Sequence, residues 1–314
     1  MSEPLVSIVI PLYNKSDWII PTLNSVIHQE YSKWECIIVD DGSTDDSLDI
    51  VTKFVKTNKG NWKVVEQQNS GQAIARNYGI SLSRGKYIAM LDADDIWFTG
   101  KLKKQVEFME QNPEIDLLYC SYVIFEEGLN KTFRIVRFMN SQKMVTRWLQ
   151  MLGFGGLIES VSMIRKTHFD NIGMFDPELS TSSGLDIAIK SSLFSKTKVL
   201  KDVLVGYRIS DNQWHKNFDE LIRNCIYLSD KYGDLVDSKF RVKKYQDAYL
   251  TYNSKRANGM SSLLLVLWGH FLSGNFAGVK MFFAIASRNM VSYSLGFVAA
   301  KRMAKEITNA QGAP

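Results

Sequence analysis

Cysteine is scarce in this chain: Cys36, Cys120 and Cys225 are odd in number and widely spaced, which excludes a disulfide framework and the paired spacing of a structural zinc site. A reducing, cytoplasmic setting is expected. An excess of one charge is also missing. Against 38 Lys and Arg stand 33 Asp and Glu, a net +5 over 314 residues. The cations are scattered without interleaved aromatics, so no nucleic-acid partner is expected. The start, Met-Ser-Glu-Pro before an apolar run at 5–10, has neither a basic leader nor a cleavage site, and no signal peptide is read there. Long hydrophobic runs are few. Residues 257–279 carry no formal charge, but Gly259, Ser261, Ser262, Gly269, Ser273, Gly274 and Asn275 interrupt them, and no membrane span is expected. No Gly-x-Gly-x-x-Gly follows the first apolar run, which argues against a dinucleotide oxidoreductase.

What is present is enough for a large core, since 45% of residues are hydrophobic and 23% charged. Residues 5–10 read as a strand that Pro11 ends, because proline cannot continue a central strand. Ile19, Ile20, Leu23, Val26 and Ile27 then recur at helical spacing, followed by a strand at 35–39. A turn at 40–45 leads to a helix carrying Leu48, Val51 and Val55, then a strand at Trp62–Glu66. A helix opening at Asn69-Ser70-Gly71 runs to about 82, and a strand at 86–91 leads straight into Asp92-Ala93-Asp94-Asp95. Alternating strands and helices predict an α/β fold with a doubly wound, mostly parallel sheet. Ligands of such sheets bind at the carboxyl ends of the strands, where the loops at 11–14, 40–44 and 92–95 lie. A helix at Lys101–Gln111, β-rich segments at 117–125 and 132–138, a Gly-rich stretch at 153–156 and a strand-like run at 160–165 follow. From about 221 to 307 the pattern is helical.

Asp92, Asp94 and Asp95 put three carboxylates within four positions. Like charges ~4 Å apart repel by about 4 kcal/mol at an effective dielectric near 20. A hard cation, Mg²⁺ or Mn²⁺, is the natural partner of such oxygens together with substrate phosphates; the plainer alternative is that Asp92 and Asp95 cap the following helix. Asp40 and Asp41 can accept from a base or a ribose, or can simply build an Asp-Gly-Ser turn. Gly71, Arg76 and Asn77 bring a small loop and a cation toward a diphosphate at a helix N-terminus.

Together, Ser7-Ile-Val-Ile-Pro-Leu-Tyr-Asn14, Ile38-Val-Asp-Asp-Gly-Ser-Thr-Asp45, Asn69-Ser-Gly-Gln-Ala-Ile-Ala-Arg-Asn-Tyr-Gly79 and Leu91-Asp-Ala-Asp-Asp-Ile-Trp97 resemble, in order and spacing, the family 2 glycosyltransferases of GT-A fold. The likeness is specific over 5–125 and persists through 160–208, in Ile164-Arg165, Gly173-Met-Phe-Asp176 and Leu204-Val-Gly-Tyr-Arg208. It implies a GT-A domain over 1–215, with a nucleotide-sugar half at 1–125 and an acceptor half at 126–215. Residues 216–314 form a helical C-terminal appendage. The implied reaction is an inverting transfer from a nucleotide diphosphate donor, with uridine favoured, to a saccharide or lipid-linked acceptor in bacterial surface polysaccharide synthesis.

The resemblance also assigns roles. Pro11 and Tyr13 would lie near the nucleoside, Asp41 and Asp40 on the base, and Gly71, Arg76 and Asn77 near the donor. Asp92 and Ala93 would hold the sugar or ribose, and Asp94, with Asp92, a divalent cation on the diphosphate. Inversion also needs a carboxylate base, which relatives carry in an adjacent Glu-Asp pair. Here the chain reads Thr181-Ser-Ser-Gly-Leu-Asp186, so Gly184 stands at the expected position and Asp186 is the candidate base. Loss of the base would leave a catalytically impaired nucleotide-sugar-binding module. His215 is a possible metal contact or a surface histidine. Aromatics and cations between Trp268 and Lys305 suggest peripheral contact with the inner face of the cell membrane or a homodimer surface.

Overall fold

The structure, a computed structural model, describes residues 3–125, 132–136, 158–179 and 183–208, with 224, 227, 228 and 230–232. By its contacts the chain divides into two compact units, 1–216 and 217–314. The Gly-rich stretch at 153–156, His215, the uncharged run at 257–279 and the aromatic and basic C-terminal faces lie outside the described residues. Among the described residues no helix is long and apolar enough to cross a membrane.

In chain order the elements are β1 (Val6–Leu12), α1 (Ile19–Ile27), β2 (Trp34–Asp40), α2 (Ser47–Thr57), β3 (Trp62–Glu66), α3 (Gln72–Leu82), β4 (Tyr87–Met90), β5 (Ile96–Trp97), α4 (Lys101–Gln111), β6 (Ile115–Phe125) and β7 (Thr132–Val136). A 3₁₀ turn (Glu159–Val161), β8 (Met163–Arg165), α5 (His168–Ile172), α6 (Ser183–Phe194) and β9 (Lys196–Arg208) complete the set. One sheet runs β3-β2-β1-β4-β8-β6-β9-β5, with β7 on β6. β1 is parallel to β2 and β4, and β2 to β3, each pair joined by a crossover that includes a helix, as parallel pairing requires. The whole of β1 and β4 is buried, which is why both read as unbroken apolar runs rather than alternations. Beyond β4 the sheet turns mixed: β8 is antiparallel to β4 and β6, while β9 lies parallel along β6. This is the α/β, doubly wound sheet that the alternation of strands and helices predicts, extended by a mixed half.

Two expectations need correction. Pro11 does not end β1, which runs to Leu12. The pairing with β4 stops at Val9, and in a pleated strand the missing N–H of Pro11 falls on that vacated side. The β2 side continues to a bond from the Asp41 N–H to the Leu12 carbonyl. The run at 160–165 is likewise not one strand. Its first half belongs to the 3₁₀ turn, and only Met163–Arg165 pairs in the sheet.

Candidate active site

The carboxyl ends of β1, β2 and β4 meet at one edge, and the acidic motif leaves β4 there. Its carboxylates are not equivalent. Asp95 is fully buried; it accepts from Ser160 Oγ at 2.5 Å and from the Arg208 N–H at 3.1 Å. Burial, reinforced by Asp94 and Asp92, pushes its carboxyl well above the ordinary range. The two-residue strand β5 follows at once, so Asp95 caps no helix. Ala93 contributes its backbone: Thr22 Oγ1 donates to the Ala93 carbonyl at 3.0 Å and to that of Asp95 at 2.8 Å.

Asp92 and Asp94 each face a cation. Lys15 Nζ, from the loop after β1, meets Asp94 Oδ2 at 2.6 Å. The Arg208 guanidinium donates to the Asp94 carbonyl at 2.9 Å and lies over the rings of Trp18 and Phe125. Arg76 meets Asp92 Oδ1 at 2.7 Å, donates to Ser183 Oγ at 2.9 Å and comes within 3.5 Å of Glu159 Oε1. Arg76 is buried, not a solvated helix charge. Burial disfavours its charge, but Glu159 and Asp92 outweigh that and hold its pKa above the usual value. Gln72 Nε2 also donates to Asp92, and the Asp92 N–H donates to Ser160 Oγ at 3.0 Å.

The other expected residues divide between the site and its scaffold. Both Asp41 oxygens are taken: Gln67 Nε2 and the Ser70 N–H donate to Oδ1, the Gly71 N–H to Oδ2. Asp41 thereby ties the end of β2 to the N-terminus of α3. Gly71 sits there at φ +94°, a conformation that favours glycine. Asp40 accepts from the Ser43 N–H at Oδ2, and its buried Oδ1 has no hydrogen-bond partner among the described residues. Tyr13 is 45% exposed, two residues beyond Pro11. Asn77 holds the segment beside Arg76: its Nδ2 donates to the Phe175 carbonyl and its Oδ1 accepts from the Phe175 N–H, and the Phe175 ring lies 5.5 Å from the Arg76 guanidinium. Asp186 is fully buried in α6 with Lys190 Nζ at 2.6 Å, and Lys190 in turn donates to the Met174 carbonyl. Among the described residues, that carboxylate is turned to Lys190 and has no exposed surface.

Sequence reasoning missed Lys15, Glu159 and Ser160, and gave Arg208 no place on the acidic motif. Lys15 carries a signal, as it directly follows the Pro-Leu-Tyr-Asn loop; the others are 65 or more residues from their partners. Among the described residues no three His, Cys, Asp or Glu side chains are grouped to hold a metal by themselves. Asp94 and Asp92 nevertheless supply hard oxygens, and Mg²⁺ typically takes one or two carboxylates and fills its shell with phosphate and water.

Comparison with known proteins bears on this arrangement. The profile described as Glycosyl transferase family 2 matches residues 7–173. The Escherichia coli UDP-Glc:alpha-D-GlcNAc-diphosphoundecaprenol beta-1,3-glucosyltransferase WfgD is 33% identical over 268 residues, 82% of this chain and 96% of its own. Of other curated glycosyltransferases, identical at 39% to 46% over shorter stretches, the chain spans only 18% to 45% of their own length. Among solved structures, Staphylococcus aureus TarS 1-349 in complex with UDP-GlcNAc superposes with a TM-score of 0.64 at 17% identity, covering 92% of this chain and 89% of that one. The mannosyltransferase PcManGT of Pyrobaculum calidifontis, in complex with GDP-Man and Mn²⁺, gives 0.57 at 15%, covering 94% and 89%.

Proposed function

This chain belongs to glycosyl transferase family 2, and from that premise we propose that it moves the sugar of a UDP-sugar, with inversion, to a hydroxyl of a saccharide carried on a lipid diphosphate. The chain is a glycosyltransferase; donor, acceptor and stereochemistry are the proposal. The observation that supports it most is the pairing of Asp92 and Asp94 with Arg76 and Lys15, brought from α3 and the β1 loop to the end of β4. That cluster alternates carboxylates with cations where a diphosphate must find positive charge and a sugar must find acceptors. Asp94 and Asp92 would hold a divalent cation with the donor's phosphate oxygens. Such a cation stabilises the charge that develops on the departing nucleotide. Lys15 and Arg76 orient the two carboxylates, and the loop built by Asp41 and Gly71 shapes the nucleoside side.

The uridine donor and lipid-linked acceptor are supported by the printed activity of WfgD and the UDP-GlcNAc bound to TarS. An acceptor of that kind implies work at the inner face of the membrane, with residues 216–314 as the membrane- or partner-facing part. The impaired binding module is the second reading, favoured by Gly184 and by the burial of Asp186.

Thermal shift and turnover with UDP-glucose, UDP-GlcNAc and GDP-mannose, each with Mn²⁺ or Mg²⁺, test the proposal. Metal-dependent stabilisation by a UDP-sugar, lost in Asp94→Ala, with transfer to a short-chain GlcNAc-diphosphate lipid, is expected. Stabilisation by GDP-mannose alone overturns the uridine assignment, and no response to any nucleotide sugar overturns the function.

A further inference from the structure

Glu159 meets Arg76 from outside the acidic motif. It opens the 3₁₀ turn before β8, and its carboxylate, 16% exposed, shares the Arg76 guanidinium with Asp92. One cation therefore ties a carboxylate of the donor cluster to a second carboxylate reaching in from another element. The second lies at the edge of a small pocket walled by Tyr119, Phe175 and Ile187. Across from it is the first turn of α6. A Cβ built on Gly184 would fall 2.0 Å from Glu159 Oε1, 2.5 Å from its Cδ and 3.0 Å from its Cγ. No side chain fits at 184 while Glu159 lies there, and the Gly184 N–H donates to the Glu159 carboxylate. The glycine that breaks the expected acidic pair is thus the seat of a carboxylate supplied by residue 159. Asp186, the other acid on this turn, is fully buried with Lys190.

Resting on the transferase reading above, we propose that Glu159 is the general base of the reaction. Its carboxylate takes the proton of the acceptor hydroxyl as the acceptor oxygen bonds to the anomeric carbon. The bond from that carbon to the diphosphate oxygen breaks, and its electron pair leaves on the nucleoside diphosphate. Glu159 ends the step as the neutral acid and returns its proton to water. Its surroundings suit the task. Burial lifts its pKa above the usual value; the Arg76 charge offsets this only in part, and the Asp92 charge adds to it. A base is most effective when its pKa approaches the working pH. Among the described residues, Arg76, Asp92 and Tyr119 are the charged or titratable groups that face it.

The competing role is purely structural, a counter-ion for buried Arg76, and kinetics separates the two. In Glu159→Gln we expect kcat to fall by about 10²- to 10⁴-fold, the UDP-sugar thermal shift to persist, and the acid limb of the kcat/KM pH profile to vanish. In Glu159→Ala with Gly184→Asp, the carboxylate returns from the opposite element, and transfer should recover by at least ~10-fold over Glu159→Ala, within the range a positioned base contributes. Glu159→Gln with kcat within about threefold of wild type, a factor too small for a lost base, overturns the proposal and leaves the transferase standing. A wild type that binds UDP-sugars but transfers none overturns both. If circular dichroism shows the single variants unfolded, the double variant decides: folded and inactive, it overturns the base.

Discussion

Asp41→Ala separates a ligand from a scaffold. If Asp41 works mainly by holding the loop, its loss must destabilise the unliganded protein. Three donors converge on its carboxylate: Gln67 Nε2 at 2.7 Å, the Ser70 N–H at 2.8 Å and the Gly71 N–H at 2.9 Å. Hydrogen bonds to a charged acceptor contribute about 1.5–3 kcal/mol each. The three are partly buried, however, so water replaces some of the loss and Gln67 can turn outward. A net loss of about 3 kcal/mol follows, which lowers Tm by roughly 6–12 °C in a domain of this size. Asp41→Asn should fall between, since its amide keeps one acceptor but sets an N–H against a backbone N–H. The assay is thermal unfolding of wild type and both variants, without ligand and with a saturating UDP-sugar. An Asp41→Ala melt within about 2 °C of wild type, less than 1 kcal/mol of change, together with lost donor binding, would refute the scaffold reading and return Asp41 to the base.

The other two predictions concern lysines. Lys15→Met removes the ammonium from Asp94 Oδ2 and should tighten Mn²⁺ binding in the presence of UDP, because ion and lysine compete for one carboxylate. Stability should change by less than about 1 kcal/mol, as for other partly exposed pairs; weaker Mn²⁺ binding by calorimetry would show that Lys15 assists the cation instead. Lys101 is fully buried over the Trp97 ring at 3.9 Å and donates to Gln105 Oε1; burial drives its pKa down to about 8. Between that value and the unfolded ~10.4 the unfolded chain binds more protons, so stability rises with pH by up to ~3 kcal/mol across this window. Urea midpoints of wild type relative to Lys101→Met should climb from pH 8 to 10; a flat difference would sink the argument.

The first hundred residues are legible because each pattern has one physical cause. Strands covered on both faces demand unbroken apolar runs, and the helices between them demand a buried stripe. Just beyond them the buried stripe likewise bounds Lys101–Gln111 to the residue, while Trp62–Glu66, a half-buried edge strand without an unbroken apolar run, is bounded by its β-rich composition alone. The errors occur where tertiary context sets the limit. Pro11 sits in a strand because the neighbouring strand ends two residues earlier, which no local signal conveys. β5 and β8, of two and three residues, are too short to show a period at all, and exist because β9 and β4 offer them partners.

The site divides in the same way. That Asp92, Asp94, Asp40 and Asp41 gather at one edge follows from the βαβ repeat, since each ends a strand of one parallel set. What each carboxylate does depends on partners far along the chain. Lys15 reaches Asp94 across 79 positions, Ser160 reaches Asp95 across 65 and Arg76 reaches Ser183 across 107. Composition gives three similar aspartates; packing makes one a buried acid, one the partner of a lysine and one the partner of an arginine. Gly184 carries the same lesson further. Read along the chain it is a missing acid, and in space it is the clearance that lets Glu159 put one there. If Glu159 is the base, the charge keeps its place in the fold while the residue that supplies it comes from another element. A search for the base in such a chain has to ask which carboxylate fills the volume, not which residue holds the position.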